Sequence, residues 1–116
     1  MARARPDVNV QWTQSANESL REIGSRTIQQ KIIQKVTDLA QSGEPELLGK
    51  PLVDQFQGLY RMSFGRYRII YRVARDERNP NVLRMTVRVI LAGIRKAGHK
   101  QHVYERLRRL IMRGAV

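Results

Sequence analysis

Cysteine is absent from this chain of 116 residues. The absence excludes a disulfide-stapled scaffold, a thiolate metal site and a cysteine nucleophile, and it fits a protein of a reducing compartment. Long hydrophobic runs are also absent, since the longest covers only residues 89–92, far below the ~20 apolar residues that cross a bilayer. No apolar segment follows Arg3 and Arg5, so the sequence predicts no secretory signal and no membrane contact.

Acidic residues are scarce in the second half of the chain. Residues 1–59 hold seven basic and seven acidic residues, whereas residues 60–116 hold fifteen and three, which places the whole net charge of +12 there. Arginine accounts for 17 of the 22 basic residues. A guanidinium forks onto phosphate oxygens, so the excess indicates a polyanionic partner. The alternative, a basic surface from arginine-rich codon usage, does not explain the loss of acids from one half.

Several enzyme classes lack their signatures here. The length predicts one domain over residues 1–116, and the sequence has neither a phosphate-binding glycine loop before Lys-Ser/Thr nor a Gly-x-Ser-x-Gly elbow. The few carboxylates argue against two-metal phosphodiester chemistry. His99 and His102 are three residues apart, but no acidic cluster completes a metal site. We therefore expect no metal and no cofactor.

The first half has the pattern of one strand followed by two helices. Apolar and polar residues alternate over 8–12, which predicts a strand, and Ser15 and Glu18 fit a capping box at a helix start. Residues 27–41 carry an apolar stripe at helical spacing. Glycine and proline make residues 43–58 an irregular connection. Three leucines are expected to tether it to the core: Leu47, Leu48 and Leu52.

The second half predicts an antiparallel sheet and a last helix. Residues 59–64, 66–75 and 82–91 alternate and are separated by turn sequences, and residues 101–112 carry an apolar helical stripe. The expected fold class is therefore α+β, with an N-terminal strand and helical hairpin packed on the sheet and a short C-terminal helix.

Alternation also assigns side chains to the two faces of this sheet. We expect an apolar face, including Val89 and Leu91, to pack against the helices. The opposite face is expected to present Arg66, Arg68, Ile70, Arg72, Arg84, Thr86, Arg88 and Ile90. Arginines on neighbouring strands repel unless an anion lies between them, so this face is interpreted as a groove for a phosphate backbone. The alternative is a solvated face on which salt screens the repulsion.

Metal-free phosphodiester cleavage remains compatible with these residues. Arginines stabilise the charge that develops on phosphorus, and in RNA the 2′-hydroxyl can supply the nucleophile. Tyr104 follows the basic loop and could stack on a base, or remove a proton if cations lower its pKa from about 10. The alternative for Tyr104 is a half-buried core position, and for His99 a surface position.

Several segments together resemble the RelE/ParE superfamily of bacterial toxin–antitoxin toxins. The central hairpin is GLYRMSFGRYRIIYRV at residues 58–73, with GKPL at 49–52, GIRK at 93–96 and VY at 103–104 in the same order. The resemblance extends over residues 8–111. It implies helices packed on a curved antiparallel sheet, and a small cytoplasmic bacterial toxin that a cognate antitoxin neutralises in a hetero-oligomer. In the RelE branch, the toxin enters the ribosomal A site and cuts mRNA by 2′-hydroxyl attack, as an mRNA interferase.

Carried over by position, the resemblance gives a catalytic set of Arg61, Arg68, Arg95 and Tyr104. The residues expected to bind RNA around it are Lys50, Ser63, Arg66, Arg72, Arg84, Arg88, Lys96, His99 and Lys100. Some relatives have two lysines where this chain has Arg61 and Ser63, and arginine stays protonated and cannot act as a general base. The base is then Tyr104, a histidine (His99 or His102) or a lysine of residues 95–100.

Two other functions remain open at this point. A toxin of the ParE type poisons DNA gyrase and has no nuclease site. A non-catalytic RNA-binding module would bind RNA with a steep salt dependence and cut nothing.

Overall fold

The computed structural model describes residues 7–76, 84–95, 102–114 and 116. The helices and strands are β1 (Asp7–Trp12), α1 (Gln14–Glu22), α2 (Arg26–Gln41), α3 (Pro45–Leu48), β2 (Lys50–Pro51), β3 (Tyr60–Phe64), β4 (Tyr67–Asp76), β5 (Arg84–Ile94) and α4 (Val103–Met112), with a 3₁₀ turn at Asp54–Phe56. Within these ranges, no helix is long and apolar enough to cross a membrane.

The strands form one five-stranded sheet in the order β1-β5-β4-β3-β2. β3, β4 and β5 pair antiparallel, as expected, whereas β1 pairs parallel to β5. β2 lies in the connection that the sequence predicts to be irregular, and it pairs antiparallel with β3. The α+β prediction is confirmed, and the sheet is mixed rather than purely antiparallel. Alternation in a sequence specifies which face a side chain occupies but not the direction of the neighbouring strand, so it could not give the orientation of β1.

The predicted capping box at the start of α1 is wrong. The N-cap is Thr13, whose hydroxyl accepts a hydrogen bond from the Ala16 N–H at 3.1 Å. The Ser15 hydroxyl instead donates to the Ile90 carbonyl at 2.9 Å. The Ser15 side chain, which the capping-box motif assigns to the start of α1, therefore forms a hydrogen bond with β5 instead.

Hydroxyls of α1 continue the edge of the sheet where β1 ends. β1 pairs with β5 as far as Trp12, after which the Thr13 hydroxyl donates to the Val89 carbonyl at 2.9 Å. Six residues later, the buried Ser19 hydroxyl accepts from the Ala92 N–H at 3.1 Å. The Ser19 bond satisfies a backbone N–H of β5 that would otherwise be buried without a partner.

The face of the sheet under α1 and α2 holds most of the core. The buried side chains of its larger cluster are Ala16, Leu20, Ile23, Ile32, Val36, Ile69, Val89 and Ala92. Leu39, Tyr71 and Val87 extend the core toward the end of α2. This is the apolar face that the alternation predicts.

The predicted position of Leu91 on that face is wrong. Ile70 pairs with Leu91 and the next residue, Tyr71, pairs with Val89, so Ile90 is an extra residue in β5. A bulge of this kind reverses the alternation beyond it. Leu91 therefore lies on the opposite face, in a cluster that α4 covers. The buried members of this cluster are Leu59, Ile70, Ile90, Leu91, Val103 and Leu107.

The connection between α2 and β3 is tethered by polar contacts more than by leucines. The buried Tyr71 hydroxyl donates to the Pro45 carbonyl at 2.6 Å, and Glu46 forms an ion pair with Arg75. The expected anchors Leu47 and Leu48 are 76% and 59% exposed, so that prediction is wrong. The third expected anchor, Leu52, does pack against the cluster under α4.

Candidate functional site

The face of the sheet that α4 covers in part carries the predicted arginines in rows across the strands. Lys50, Arg61, Ile70 and Leu91 are successive pairing partners from β2 to β5, and Ser63, Arg68 and Gly93 form the next row. Paired residues share a face of a sheet. In the first row, Lys50 and Arg61 are thus next to Ile70 and Leu91, which belong to the apolar cluster beneath α4.

Arg61 lies on β3, Arg68 lies on β4, and Arg95 comes directly after β5. Arg61 is opposite Ile70, two residues from Arg68 on β4, so the two arginines are diagonal neighbours, a relation that separates them by about 7–8 Å. Arg95 directly follows β5, and its N–H donates to the Arg66 carbonyl at 2.9 Å. The structure thus places three of the four predicted catalytic residues at the same end of the sheet, and we call them the arginine diagonal.

Arg68, at the centre of the arginine diagonal, is held in place by the β3–β4 turn. One terminal nitrogen of its guanidinium, Nη1, donates to the Gly65 carbonyl at 2.7 Å and to the Tyr67 carbonyl at 2.9 Å. Its Nε is buried and has no hydrogen-bond partner. A buried donor without an acceptor is costly, so an anionic acceptor at this position would be favoured.

Tyr104 lies in the first turn of α4 and is half-buried. Its ring packs 6.1 Å from Phe56 and 5.9 Å from His102, measured between ring centroids. Phe56 belongs to the 3₁₀ turn, which lies within the connection that the sequence predicts to be irregular. Phe56 is not among the residues singled out from the sequence. The feature that could have indicated its contact with Tyr104 is the presence of an aromatic residue in a connection rich in glycine and proline.

His102 joins the end of β5 to the start of α4. It forms an isolated parallel bridge with Ile94, the residue before Arg95, and it is the N-cap residue of α4. Its Nδ1 is buried and has no hydrogen-bond partner. Of the alternatives for a proton-transfer group, His102 and Tyr104 are the two that the described residues include, and they are adjacent.

Three further arginines lie on the same face, away from the turn. Arg72 and Arg88 are direct cross-strand partners, and both are exposed. Arg84 lies in a row between Asp7 and Asp76, so its charge has carboxylates on both sides. The Arg72–Arg88 pair has the like-charge repulsion that an anion would relieve, whereas Arg84 does not.

The remaining predicted RNA-binding residues divide into two groups. Lys50, Ser63 and Arg66 are exposed beside the arginine diagonal. Lys96, His99 and Lys100 lie outside the described residues. Within the described part of the chain, no group of three or more His, Asp or Glu side chains is placed to hold a metal ion.

Comparison with known proteins gives the family. Residues 10–95 match the family described as the ParE toxin of the type II toxin–antitoxin system, parDE. The chain belongs to this toxin family. The match spans most of the chain and includes Arg61, Arg68 and Arg95, so the expected membership of the RelE/ParE superfamily is confirmed. No curated protein matches the sequence.

A solved structure is similar to the toxin in both fold and sequence. It is a chain of the RelBE2 toxin–antitoxin complex from Mycobacterium tuberculosis, with a TM-score of 0.59 and 25% identity over 75% of this chain and 96% of that one. The protein is therefore a toxin of a toxin–antitoxin system, and its partner is a cognate antitoxin.

Proposed function

We propose that the toxin is a metal-free endoribonuclease that cuts mRNA in the ribosomal A site of the bacterial cytoplasm. The observation that carries the proposal is the arginine diagonal, in which Arg61, Arg68 and Arg95 lie at one end of the sheet. A gyrase-binding surface does not need three guanidiniums at one end of the sheet. Phosphoryl chemistry does, because charge develops on the phosphate oxygens in the transition state.

In the proposed reaction, the RNA supplies its own nucleophile. The 2′-oxygen forms a bond to the adjacent phosphorus, and the bond from phosphorus to the 5′-oxygen breaks. One group removes the 2′-hydroxyl proton and another protonates the departing 5′-oxygen. The products are a 2′,3′-cyclic phosphate and a 5′-hydroxyl, so no atom of the protein or of a cofactor is consumed.

Arg68 is the residue assigned to the scissile phosphate. The hydrogen bonds of Nη1 to the turn carbonyls fix its guanidinium, while the buried Nε still lacks an acceptor. A preorganised donor needs no reorganisation when charge appears on the phosphate. Arg61 and Arg95, on either side along the diagonal, would hold the flanking phosphates.

Proton transfer is assigned to the pair of His102 and Tyr104. Arginine remains protonated, so none of the diagonal residues can be the base. An imidazole can both accept and donate a proton, which suits a general acid or base, and the neighbouring phenol, 5.9 Å away between ring centroids, would stack on a base or share the proton. The residues outside the described part, among them His99 and Lys100, are the alternative source of this group.

The test is toeprinting of an mRNA on translating ribosomes with purified toxin. Wild-type toxin is expected to cut within the A-site codon, and Arg68→Ala to slow cleavage by about 100- to 1000-fold, the usual effect of removing one transition-state donor. The matched control is Arg26→Ala, which removes an exposed arginine at the start of α2 and is expected to cut normally. Uncut message at full toxicity would contradict the proposal.

The second candidate is inhibition of DNA gyrase, favoured by the family description itself, which names parDE. In that case, expression of the toxin would cause DNA damage and filamentation while translation continues. Arg68→Ala would then leave toxicity unchanged unless the same surface binds gyrase.

The antitoxin is proposed to cover the arginine face with an acidic or amphipathic segment, because free toxin would otherwise remain on RNA. If a complex of the two proteins left Arg61, Arg68 and Arg95 open to solvent, neutralisation would have to occur by blocking entry to the ribosome.

A further inference from the structure

Two lysines of α2 approach the same aromatic ring on the β3–β4 hairpin. The Nζ atoms of Lys31 and Lys35 lie 5.9 Å and 5.6 Å from the centroid of the Phe64 ring. The Phe64 ring stacks in turn on Tyr67, with 6.4 Å between centroids and 22° between planes. Two ammonium groups and two rings therefore occupy one end of the sheet, and we call these four residues the lysine–aromatic cluster.

Few acidic residues lie on the elements that form this cluster. The acid of α2 is Asp38, which accepts a hydrogen bond from the Gln34 amide at 2.8 Å, and β3 and β4 contain no acid before Asp76 at the far end. Among the described residues, neither lysine has a carboxylate partner. Lysines one helical turn apart repel each other, so the pair favours an anion between them.

The cluster and the arginine diagonal lie on opposite faces of one hairpin. Phe64 and Tyr67 are cross-strand partners on the face toward α2, whereas Ser63 and Arg68 are partners on the other face. Between them is the turn, where the exposed Arg66 is joined through its carbonyl to Arg95. Positive charge is therefore continuous around the tip of the hairpin.

Packing alone explains only part of this arrangement. The aliphatic stems of lysines often cover apolar surface while the ammonium groups stay in water. That accounts for one lysine against Phe64, but it does not require two unpaired charges to meet over one ring. Ammonium groups beside stacked rings are the combination that binds single-stranded nucleic acid, with phosphates held by charge and bases by stacking.

We propose that Lys31, Lys35, Phe64 and Tyr67 form a second binding site, for single-stranded RNA, on the side of the hairpin away from the cleavage site. The ammonium groups hold a backbone phosphate, and the rings stack a base. RNA is favoured over an acidic peptide because a carboxylate gains nothing from the stacked rings. The inference rests on the proposed function for RNA as the partner, but it requires binding and not cleavage.

The test measures binding of a short fluorescent 2′-O-methyl RNA to the full-length toxin by anisotropy. The methyl group blocks the nucleophile, so the RNA stays intact whether or not the toxin is a nuclease. Lys31→Gln/Lys35→Gln is expected to weaken binding and to flatten the slope of log K against log salt by about 0.7 for each phosphate that the variant no longer neutralises. Phe64→Leu is expected to weaken binding by about 5-fold or more with the slope unchanged.

Arg109→Gln/Arg113→Gln is the matched control, because it removes two exposed charges at the same spacing at the C-terminal end of α4, where Arg113 is the C-cap residue. The proposal is overturned if this control loses as much affinity and slope as the lysine variant, or if the lysine variant binds like wild type. It is also overturned if poly-glutamate binds with the same lysine dependence and Phe64→Leu has no effect, since the occupant would then be an acidic peptide.

Failure of this site and failure of the proposed nuclease give different results. Lysine-dependent RNA binding without A-site cleavage would retain the second site and reject the nuclease. If the toxin cleaves in the A site but Lys31→Gln/Lys35→Gln binds RNA like wild type, the second site is rejected and the nuclease proposal is retained. Thermal melting of each variant confirms that the compared proteins are folded.

Discussion

At the scale of single residues, the side chain of Tyr71 occupies the space that a side chain at Gly49 would need. A Cβ atom added to Gly49 would lie 1.9 Å from the Tyr71 hydroxyl and 3.0 Å from the Arg61 carbonyl. The hydroxyl occupies that space because it donates to the Pro45 carbonyl. The glycine of the GKPL segment is therefore required by a side chain from β4, and its backbone conformation is ordinary.

Gly49→Ala is expected to lower the free energy of unfolding by about 2 kcal/mol or more, because the clash leaves a buried hydroxyl and a buried carbonyl unpaired. The matched control is Gly24→Ala, at a position with no atom within 4 Å of the added Cβ, which is expected to be neutral or slightly stabilising. Urea unfolding of both variants measures the difference. Equal stabilities would contradict the steric account.

Tyr71 also predicts how stability changes at alkaline pH. Burial, and to a smaller extent Tyr60 and Glu46, raise the pKa of Tyr71 from 10.0 to about 12. Because the pKa is raised in the folded protein, the unfolded chain loses the Tyr71 phenol proton at a lower pH than the folded protein does. The contribution of the protonated Tyr71 to the free energy of unfolding is therefore complete below pH 10 and is lost as pH rises toward 12. The shift corresponds to about 2–3 kcal/mol.

Tyr71→Phe removes this dependence. The variant is expected to be less stable than wild type at pH 7, because the Pro45 carbonyl loses its donor, and the gap is expected to narrow between pH 10 and 12. Urea titrations of both proteins across that range provide the measurement. A gap that stays constant would show that the Tyr71 pKa is not raised.

At the scale of elements, α1 takes over from β1 as the neighbour of β5. Ser19 is buried and accepts the Ala92 N–H, whereas Ser15 is half-buried and donates to a carbonyl that also receives the Thr13 hydroxyl, though at a longer distance. The two serines thus differ in what their loss leaves unpaired.

Ser19→Ala is expected to cost about 1–3 kcal/mol, since it leaves a buried N–H without an acceptor. Ser15→Ala is expected to cost less, because Ser15 is only half-buried and the Thr13 hydroxyl lies 3.3 Å from the Ile90 carbonyl, close enough to replace part of the lost bond. Hydrogen exchange of the Ala92 amide provides a local readout: faster exchange is expected in Ser19→Ala and not in Ser15→Ala. The reverse order would contradict the role of α1 as a substitute for strand pairing.

The positions of helices and strands were more predictable from the sequence than the details at their ends and irregularities. Apolar spacing located α2, because one stripe of the helix faces the core throughout, and it located the β3–β4 hairpin, because no bulge interrupts the pairing of these strands. It misplaced Leu91, because one bulge at Ile90 reverses the faces. The capping motif misassigned Ser15, because its hydroxyl donates to a distant strand. Neither the bulge in β5 nor the hydrogen bond of Ser15 to that strand can be detected from a short stretch of sequence.

At the scale of the whole molecule, charge distribution and fold agree. The second half, which carries the net charge of +12, forms β3, β4 and β5, and its alternation is what aligns Arg61, Arg68 and Arg95 across the strands. The resemblance to relatives named these residues together with Tyr104. It did not indicate the cover that α4 gives to Ile70 and Leu91, which separates the arginine diagonal from the Arg72–Arg88 pair.

Arg72 and Arg88 provide a test of how far the RNA-binding surface extends over this face. Arg72→Gln/Arg88→Gln is expected to weaken RNA binding and to flatten its salt slope by about 0.7 for each phosphate left without a cationic partner. Arg84→Gln is expected to have little effect, because Asp7 and Asp76 flank it in its row. Salt-dependent anisotropy measures both, and equal effects would indicate a diffuse basic field rather than a defined path.

The most direct test of the central claim is the chemistry of the RNA ends left by the toxin on translating ribosomes. Attack by the 2′-hydroxyl under the arginine diagonal predicts a 2′,3′-cyclic phosphate on one fragment and a 5′-hydroxyl on the other, both lost in Arg68→Ala, as measured by mass spectrometry. Fragments with 3′-hydroxyl and 5′-phosphate ends, or intact RNA alongside broken DNA, would contradict it.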